Sequence, residues 1–522
     1  MSKNTRIRIS APVAIQLATG LALLLTTRLA SAQSVINITE GASRTLNADW
    51  VGTNANLTAI QQPGENDAFV EAVNQLGIRT IRYPGGTIGN YWDWDRGWID
   101  SGVPDSLMIP WVVTQGLTRS QQRYTPEDLQ TLVRRTGTVP VFMLNMLSKD
   151  LKHALRNLRK AKALGMPIKY VELGNELYFN LPLPNQKYPT PEIYGDSCQR
   201  WIAAIKAEFP AAQCAVVGSY LTRHDRQIDW TRRVLRHCDN ADAVTFHQYS
   251  PSGLDGRRER KRITAGTEGT GDRSTATRQG PTAPKARQAW ERKQLQDPAA
   301  LANLLTTTQQ SAQTYRKMKL PPGMPIWATE FNMRDDRSVV LHSWSHALVL
   351  TMYYLEFLNS PVTLTSVHNL VGQLFGQIHT DTANFSHLAG QKVASVPNTL
   401  TAGGIATSLL ARVTKDATQA APLVMEGVPL LRDDRGATVA SVQGWTFEDG
   451  DHRKTLLLVN FGYEMQHAAW PAGLPQGAVT SFWADLSHPI NGWESVTSKQ
   501  QEVSNRTVEL PPHSISIVQA DK

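Results

Sequence analysis

The chain has 522 residues, of which 41% are hydrophobic and 19% are charged, with 14 Trp and 13 Tyr. These values exclude a wholly disordered chain and leave room for one large domain with a smaller companion. The net charge of +8 is concentrated in the first 32 residues and in residues 257–293, where eleven Lys and Arg face four Asp and Glu. The remainder is slightly acidic, which argues against nucleic acid as a partner.

The N-terminus has the pattern of an export signal. Three basic residues precede an apolar stretch over 11–25, and Ala30-Ser31-Ala32 follows as a cleavage sequence. A membrane anchor is the alternative, but the apolar run is short and Arg28 follows it. We therefore predict a signal peptide over 1–32, a secreted or periplasmic protein, and no membrane attachment after cleavage.

From residue 46 to about 403, short β-rich runs alternate with amphipathic helical stretches, which is typical of βα units around a parallel sheet. The eight candidate strands are 45–50, 80–83, 139–144, 169–173, 214–218, 243–247, 325–329 and 362–368. Eight such units predict an α/β fold of the (β/α)8 TIM barrel type. A doubly wound sheet is the alternative.

Two regions lie outside this alternation. Residues 404–522 contain short alternating runs separated by Gly, Pro and Asp, which predict a small antiparallel β-sandwich that also takes in 34–45. Residues 254–298 follow the sixth strand, are rich in Arg, Gly and Thr, and lack apolar periodicity, so we expect a mobile insertion. Because loops after barrel strands lie on the catalytic face, this insertion either contacts a ligand or is a solvated excursion.

Two glutamates stand at the ends of predicted barrel strands. Asn175 and Glu176 follow the fourth strand in YVELGNELYF, and Glu330 follows the seventh in PIWATEFNM. Two carboxyl groups about 5 to 5.5 Å apart across the barrel mouth are what hydrolysis of a glycosidic bond with retention requires. The 13 His show no metal-binding spacing, so neither a metal nor another cofactor is expected.

These motifs, together with IRYPGGT, VFMLN and FHQY at the second, third and sixth strands, resemble glycoside hydrolase clan A. Within that clan the chain looks most similar to the heparanase and β-glucuronidase group, family 79. The resemblance implies a retaining enzyme in which Glu176 is the acid/base and Glu330 the nucleophile. Its substrate would be a polysaccharide or oligosaccharide, with an acidic glycan as one candidate.

The nucleophile context departs from that group, because Ala-Thr-Glu-Phe-Asn replaces the usual Gly before the glutamate and the small residues after it. An α-L-arabinofuranosidase or β-xylosidase of the same clan is therefore the nearest alternative. A non-catalytic carbohydrate-binding protein on this scaffold is a second alternative. A third is an adhesion protein that binds acidic polymers through its basic insertion.

The resemblance also implies that Asn175 binds the sugar 2-hydroxyl and that Tyr249 keeps Glu330 ionised. Positions at strand ends add three residues expected to brace the nucleophile, contact the sugar or line the pocket, which are Arg82, Asn145 and His247. Each of the three has an alternative role, as a barrel ion pair for Arg82 and as a polar core group for the other two.

An aromatic segment, NYWDWDRGW, follows the second strand. Flat rings match the C–H face of a sugar, so Trp92 and Trp94 are candidates for a sugar platform. Packing within the loop is the alternative for both rings.

Overall fold

A computed structural model describes residues 35–518. The residues left out within that range are 56–59, 61, 115, 120–122, 253, 255–283, 335–337, 342, 373–374, 381–394, 471–472, 475–476 and 504–506. The predicted signal peptide and most of the predicted insertion therefore lie outside the described residues. Within the described part, no helix combines the length and the apolar character needed to cross a membrane.

Twelve described strands precede residue 368. They are β1 (Val35–Glu40), β2 (Arg44–Thr45), β3 (Gly52–Asn54), β4 (Thr80–Tyr83), β5 (Trp92–Asp93), β6 (Trp98–Ile99), β7 (Val139–Met143), β8 (Tyr170–Leu173), β9 (Gln213–Val217), β10 (Ala243–Ser250), β11 (Ile326–Met333) and β12 (Val362–Val367). Eight of these close a parallel barrel in the order β10, β11, β12, β3, β4, β7, β8, β9. The barrel prediction is confirmed and the doubly wound sheet is excluded.

The first barrel strand lies later than the sequence indicated, at Gly52–Asn54 instead of 45–50. Thr45 is an edge residue of the C-terminal sheet, and a turn then leads to Trp50. A Cβ on Gly52 would lie 2.0 Å from the Thr80 hydroxyl, so glycine allows the close approach of β3 to β4. A glycine inside a strand gives a weak β signal, which is why 52–54 was missed.

Eleven described helices surround the barrel or follow it. They are α1 (Asp67–Leu76), α2 (Pro110–Thr114), α3 (Pro126–Thr136), α4 (Leu151–Ala163), α5 (Pro182–Lys187), α6 (Pro191–Glu208), α7 (Trp230–Leu235), α8 (Pro284–Gln294), α9 (Pro298–Ala312), α10 (Trp344–Leu358) and α11 (Ala402–Thr414). Helix α3 begins with a capping box between Thr125 and Asp128, and Thr190 caps α6.

The expectation of a mobile segment over 254–298 is wrong for its last part, which forms α8. Glu291 on this helix is fully buried, accepts a hydrogen bond from the backbone N–H of Val339 at 2.8 Å, and pairs with Arg287 at 2.7 Å. These contacts join α8 to the segment that follows β11. A buried ion pair at helical spacing replaces the apolar periodicity by which a helix is usually recognised.

The predicted boundary between 403 and 404 also needs correction, because it falls inside α11. This helix is buried along almost its whole length and packs against α1 and α10, so the barrel domain continues to Thr414. A Cβ on Gly404 would lie 2.2 Å from the carbonyl oxygen of Gln377. Gly404 thus serves close packing of the helix against the Gln377 segment.

The C-terminal domain is a mostly antiparallel β-sheet structure. Its strands are β13 (Ala417–Glu426), β14 (Leu430–Arg432), β15 (Thr438–Ala440), β16 (Val442–Asp449), β17 (Lys454–Asn460), β18 (Gln466–Ala469), β19 (Ala478–Trp483), β20 (Thr497–Glu502), β21 (Thr507–Leu510) and β22 (Ser514–Val518). Strand β1 pairs antiparallel with β13 and parallel with β18, so the N-terminal segment belongs to this domain. Ile36, Leu456 and Val508 share its interior, whereas Phe447 and Ile515 belong to the same core as the barrel.

Candidate active site

The two predicted catalytic glutamates meet at the carboxyl ends of the barrel strands. Glu176 lies in the turn after β8 and has a left-handed backbone, with φ at 48°, two residues after Gly174, whose φ is also positive. Glu330 lies within β11, which continues to Met333 instead of ending at 329, and is paired in register with His247 on β10. Oxygens of both carboxyl groups and a nitrogen of His247 lie within 4.8 Å of one another. This spacing fits the double-displacement geometry.

Glu330 is buried and held at both oxygens. Arg82 Nη1 donates to Oε1 at 2.8 Å, and the Tyr249 hydroxyl donates to Oε2 at 2.7 Å. Burial and the Glu330 charge raise the pKa of Tyr249 well above its usual range, so this hydroxyl keeps its proton and remains a donor. A Cβ on Gly86 would lie 2.4 Å from Glu330 Oε1, so any residue other than glycine at position 86 would clash with the carboxylate.

The charges around Glu330 favour its ionised form. Burial alone would raise the pKa of Glu330, but His247, His368, Arg82 and the Tyr249 hydroxyl together hold it far below its ordinary value. His368 does not add charge at neutral pH, because burial lowers its own pKa to about 4. Arg82 therefore supplies the positive charge that stabilises ionised Glu330 at neutral pH, and His247 also lowers the pKa of Glu330. A carboxylate that stays ionised is suited to act as a nucleophile.

Arg82 is fully buried and bridges two strand ends. Its Nε and Nη2 donate to the two oxygens of Glu172 at 2.5 and 2.9 Å, and Nη2 also donates to Asn175 Oδ1 at 2.8 Å. With Nη1 on Glu330, the guanidinium lies between two carboxylates, which raise its pKa against the effect of burial. The sequence predicted Arg82 but missed Glu172, whose signal is a Glu inside an otherwise apolar strand.

Asn175 has one buried group without a protein partner. Its backbone N–H donates to Asn90 Oδ1 at 3.0 Å, its carbonyl accepts from Asn90 Nδ2 at 2.7 Å, and its Oδ1 accepts from Arg82. Among the described residues no acceptor lies within hydrogen-bond distance of its Nδ2. Buried donors are rarely left unpaired, so this amide is available to a ligand at the site.

Glu176 has different neighbours. Its Oε1 lies 3.1 Å from His247 Nδ1 and accepts from the Tyr178 hydroxyl at 3.3 Å. The Thr329 hydroxyl donates to Glu172 at 3.1 Å, so it accepts from His247 Nε2 at 3.0 Å. Because Nε2 carries a hydrogen, Nδ1 and Glu176 share the next proton. Burial opposes charge on His247, but the Glu330 and Glu176 carboxylates raise its pKa above the ordinary value.

His368, the last residue of the eighth predicted strand, is a site residue that the sequence analysis did not select. Its Nδ1 accepts from Asn54 Nδ2 at 3.2 Å and lies 3.7 Å from Glu330 Oε2. Its ring is 5.9 Å from that of Tyr249. A histidine that ends a barrel strand was a signal available in the sequence.

Asn145 does not present its side chain to the site. Its Oδ1 accepts from the backbone N–H of Leu147 and of Ser148, both at 3.0 Å. Its Nδ2 donates to the Trp92 carbonyl at 3.1 Å and to the Ser148 hydroxyl at 2.8 Å. All its polar atoms are thus engaged by the protein, and the expected sugar contact is replaced by the alternative of a satisfied core group.

Trp92 and Trp94 are also core residues and not an exposed platform, with 1% and 2% of their surface accessible. Trp92 Nε1 donates to the Tyr83 hydroxyl at 3.1 Å, and Trp94 packs against Phe142 with ring centroids 5.4 Å apart. The expectation of a sugar platform is corrected to loop packing. An aromatic sequence cannot distinguish the two, because rings that stack on sugars also stack on one another.

A pocket opens beside Glu176, between the ends of β8, β9 and β10. His247 and Tyr249 contribute to its catalytic wall. The remaining walls are largely apolar and aromatic and include Tyr178, Phe179, Tyr220, Leu221 and Phe246. None of these was singled out from the sequence, because an isolated aromatic in a loop does not reveal which strand ends it will meet.

Two groups of described side chains have donor atoms close enough to hold a cation, namely Glu176, His247 and Glu330, and Asp93, Asp95 and His153. In the first group Arg82 already supplies the positive charge. In the second, Lys149 lies 2.7 Å from Asp93, and Arg156 pairs with Asp95. Protein cations thus compensate Glu330 in the first group and both aspartates in the second.

Comparison with known proteins places this geometry in context. No protein-family profile matches the chain. A probable α-L-arabinofuranosidase C of Aspergillus clavatus is 25% identical over 186 residues, which cover 32% of this chain and 34% of the relative. An exo-α-(1→6)-L-arabinofuranosidase of Bifidobacterium longum is 28% identical over 235 residues, which cover 40% of this chain and 44% of the relative. The aligned part thus spans less than half of either relative.

Solved structures match over almost the whole length. A family 51 α-L-arabinofuranosidase from Bifidobacterium longum aligns with 93% of this chain and 99% of its own at a TM-score of 0.63 and 16% identity. The family 51 arabinofuranosidase of Xanthomonas axonopodis aligns with 92% of this chain and 99% of its own at a TM-score of 0.63 and 17% identity. A 4-O-α-L-rhamnosyl-β-D-glucuronidase of Fusarium oxysporum aligns with 93% of this chain and 100% of its own at a TM-score of 0.56 and 13% identity.

The chain therefore has the fold of clan A glycoside hydrolases, a TIM barrel joined to a mostly antiparallel β-sheet domain. Its relatives in sequence are arabinofuranosidases, and structures of the family 51 type share the complete two-domain architecture. The comparisons favour the arabinofuranosidase alternative over the prediction of a family 79 enzyme.

Proposed function

We propose that the chain is a retaining glycoside hydrolase in which Glu330 is the nucleophile and Glu176 the acid/base. The observation that carries this proposal is the approach of the two carboxyl groups to within 4.8 Å, with Glu330 bound by Arg82 and Tyr249 and Glu176 in contact with His247. One carboxylate is kept charged and the other has access to a proton, as double displacement requires.

In the first step Glu330 attacks the anomeric carbon while Glu176 protonates the leaving oxygen, which forms a glycosyl-enzyme and releases the alcohol. In the second step Glu176 takes a proton from water, and the resulting hydroxide equivalent displaces Glu330. The free Nδ2 of Asn175 would donate to the hydroxyl next to the anomeric carbon. Both steps invert the anomeric carbon, so the product keeps the configuration of the substrate.

For the sugar, we propose an α-L-arabinofuranoside at the end of a glycan or small glycoside. The names of the sequence relatives support this choice. The site offers little to a uronic acid carboxylate, because the guanidinium of Arg82 is already engaged by Glu172, Glu330 and Asn175. Export is part of the proposal and rests on the signal peptide predicted over residues 1–32.

A β-glucuronide is the second candidate, and one residue favours it. Arg334 follows β11, and its positive charge acts on Tyr249 and His368, which face Glu330. A guanidinium near the sugar site could receive a carboxylate. If the substrate is a glucuronide, Arg334→Gln will lower its turnover strongly, whereas arabinofuranoside turnover does not depend on this charge.

The test is hydrolysis by residues 33–522 of four aryl glycosides: α-L-arabinofuranoside, β-glucuronide, β-xyloside and β-glucoside. Glu330→Gln serves as the blank, and Glu502→Gln, an exposed position on β20, is the matched control. We expect arabinofuranoside turnover in the wild type and the control but not in Glu330→Gln. Preference for the glucuronide would establish the second candidate, and binding of glycans without turnover would show a non-catalytic protein.

A further inference from the structure

We propose that the pocket beside Glu176 is the leaving-group subsite and that it selects a neutral leaving group with a flat apolar face. This inference rests on the proposed function and adds what the enzyme releases. The leaving group would be an uncharged alcohol with an apolar face. Both an aryl alcohol and a neutral sugar fit this description.

The position of the pocket assigns its role. The nucleophile and the acid lie on opposite sides of the bond that breaks, so the leaving group lies against the acid and away from the nucleophile. Among the described residues that line this pocket are Glu176, His247 and Tyr249, whereas Glu330, Arg82 and Asn175 do not line it. The groups that would hold the sugar thus do not line the pocket, whereas the acid does.

The walls of the pocket define its chemistry. Phe179 and Phe246 are buried, with 4% and 1% of their surface exposed, and Leu221 at the rim is half-buried. The Tyr220 hydroxyl is already bound to Gln248, so this residue offers mainly the ring. Rings and aliphatic groups bind the C–H face of a sugar or an aryl group well.

Charge is the property that the pocket excludes. Apart from Glu176 and His247, which take part in the reaction, none of the described lining residues is ionised at neutral pH. A carboxylate or sulfate on the leaving group would lose water without gaining a cation among the described lining residues. It would also face the negative charge that Glu176 develops on donating its proton. An anionic leaving group should therefore react poorly.

The experiment compares leaving groups on the sugar that the wild type hydrolyses. The four substrates carry phenol, a neutral sugar, a uronic acid and fluoride as leaving groups. Fluoride is too small to reach the pocket walls, so its kcat/KM reports the rest of the reaction. We expect the wild type to prefer the neutral sugar or the phenol over the uronic acid by at least ~10-fold. The neutral leaving group whose kcat/KM, relative to that of the fluoride, falls more in Leu221→Asp identifies the source, and an equally good uronic acid would overturn the proposal.

Leu221→Asp tests the site directly, with Ile228→Asp as the matched control at an exposed position in the segment after β9. We expect Leu221→Asp to lower the ratio of kcat/KM for the phenyl glycoside to that for the fluoride by at least ~10-fold. Ile228→Asp should leave this ratio unchanged. An unchanged ratio in Leu221→Asp, with a thermal melt like that of the wild type, would show that the leaving group lies elsewhere.

Leu221→Arg tests for a gain of activity toward a charged leaving group, which loss of folding cannot produce. A cation at this rim should raise kcat/KM for the uronic acid leaving group relative to the neutral sugar. No such rise would contradict the proposed subsite. These outcomes are separate from failure of the proposed function, in which the wild type would hydrolyse none of the substrates beyond the level of Glu330→Gln.

Discussion

The two carboxyl groups of the site stand in contrasting surroundings within one barrel mouth. Glu330 lies inside a strand, with 6% of its side chain exposed, and hydrogen bonds to Arg82 and Tyr249 occupy both its oxygens. Glu176 lies in a turn, with 13% of its side chain exposed, and borders a pocket with aromatic walls. One side of the site is closed and charged, and the other is open and mostly apolar.

The difference shows that the environment, and not the residue type, distinguishes a nucleophile from an acid. Arg82 compensates the charge of Glu330 and is itself held in place by Glu172. Glu176 has no cation of this kind among the described residues and instead faces His247, whose tautomer is fixed through Thr329. The following variants test this assignment from each side.

The largest effect is expected for Glu330→Gly. Without the nucleophile no glycosyl-enzyme can form, so kcat should fall by at least ~10⁴-fold. Azide can occupy the space left by the carboxylate and attack the substrate directly, which gives a glycosyl azide of inverted configuration by NMR. Retained configuration would assign the two glutamates the other way round.

Glu176→Ala should have the next largest effect. Loss of acid catalysis should lower kcat/KM by about 10² to 10⁴-fold for a sugar leaving group, and much less for an activated aryl group that leaves without protonation. Azide should then intercept the glycosyl-enzyme and give a product of retained configuration. Equal losses for both leaving groups would contradict the role of Glu176 as the acid.

The closed side of the site was largely predictable from the sequence. Glu330 and Arg82 stand at the ends of β-rich runs, and the topology of a parallel barrel brings all such ends to one face. Glu172 and Thr329 were missed because they are interior residues of strands that otherwise read as apolar. Polar groups buried inside a barrel become recognisable only when their partners on other strands are known.

The open side was predicted less well. The sequence suggested Trp92 and Trp94 as sugar contacts, but these rings fill the core, while Tyr178 and Phe246 line the pocket. Whether an aromatic side chain faces a ligand or the protein depends on the path of its loop, and local pattern does not determine that path. The same limit applies to Asn145, whose amide stabilises a turn.

Tyr249→Phe tests the hydrogen bond to Glu330 without removing either charge. A hydrogen bond to a charged group contributes about 1.5 to 3 kcal/mol, so kcat/KM should fall by roughly 10 to 100-fold. The Tyr249 hydroxyl helps to lower the pKa of Glu330, so this pKa rises in the variant and the acid limb of the pH profile moves to higher pH. Tyr463→Phe, whose hydroxyl donates to Leu295 far from the site, is the matched control. An unmoved acid limb would contradict the assignment.

The smallest effect is expected for His247→Gln, which acts through Glu176. The charged groups around His247 are Glu176, Glu330, Glu172 and Arg82, and the carboxylates raise its pKa. The proton shared with Glu176 is therefore retained above the ordinary titration range of histidine and is lost as the pH rises through the raised value. Removing the imidazole should lower kcat about 10-fold and move the alkaline limb of kcat/KM to lower pH. His237→Gln, at an exposed position on the barrel exterior, should leave that limb in place. If both variants keep the wild-type alkaline limb, Glu176 holds its proton without His247, and the contrast between the two sides depends on Arg82 alone.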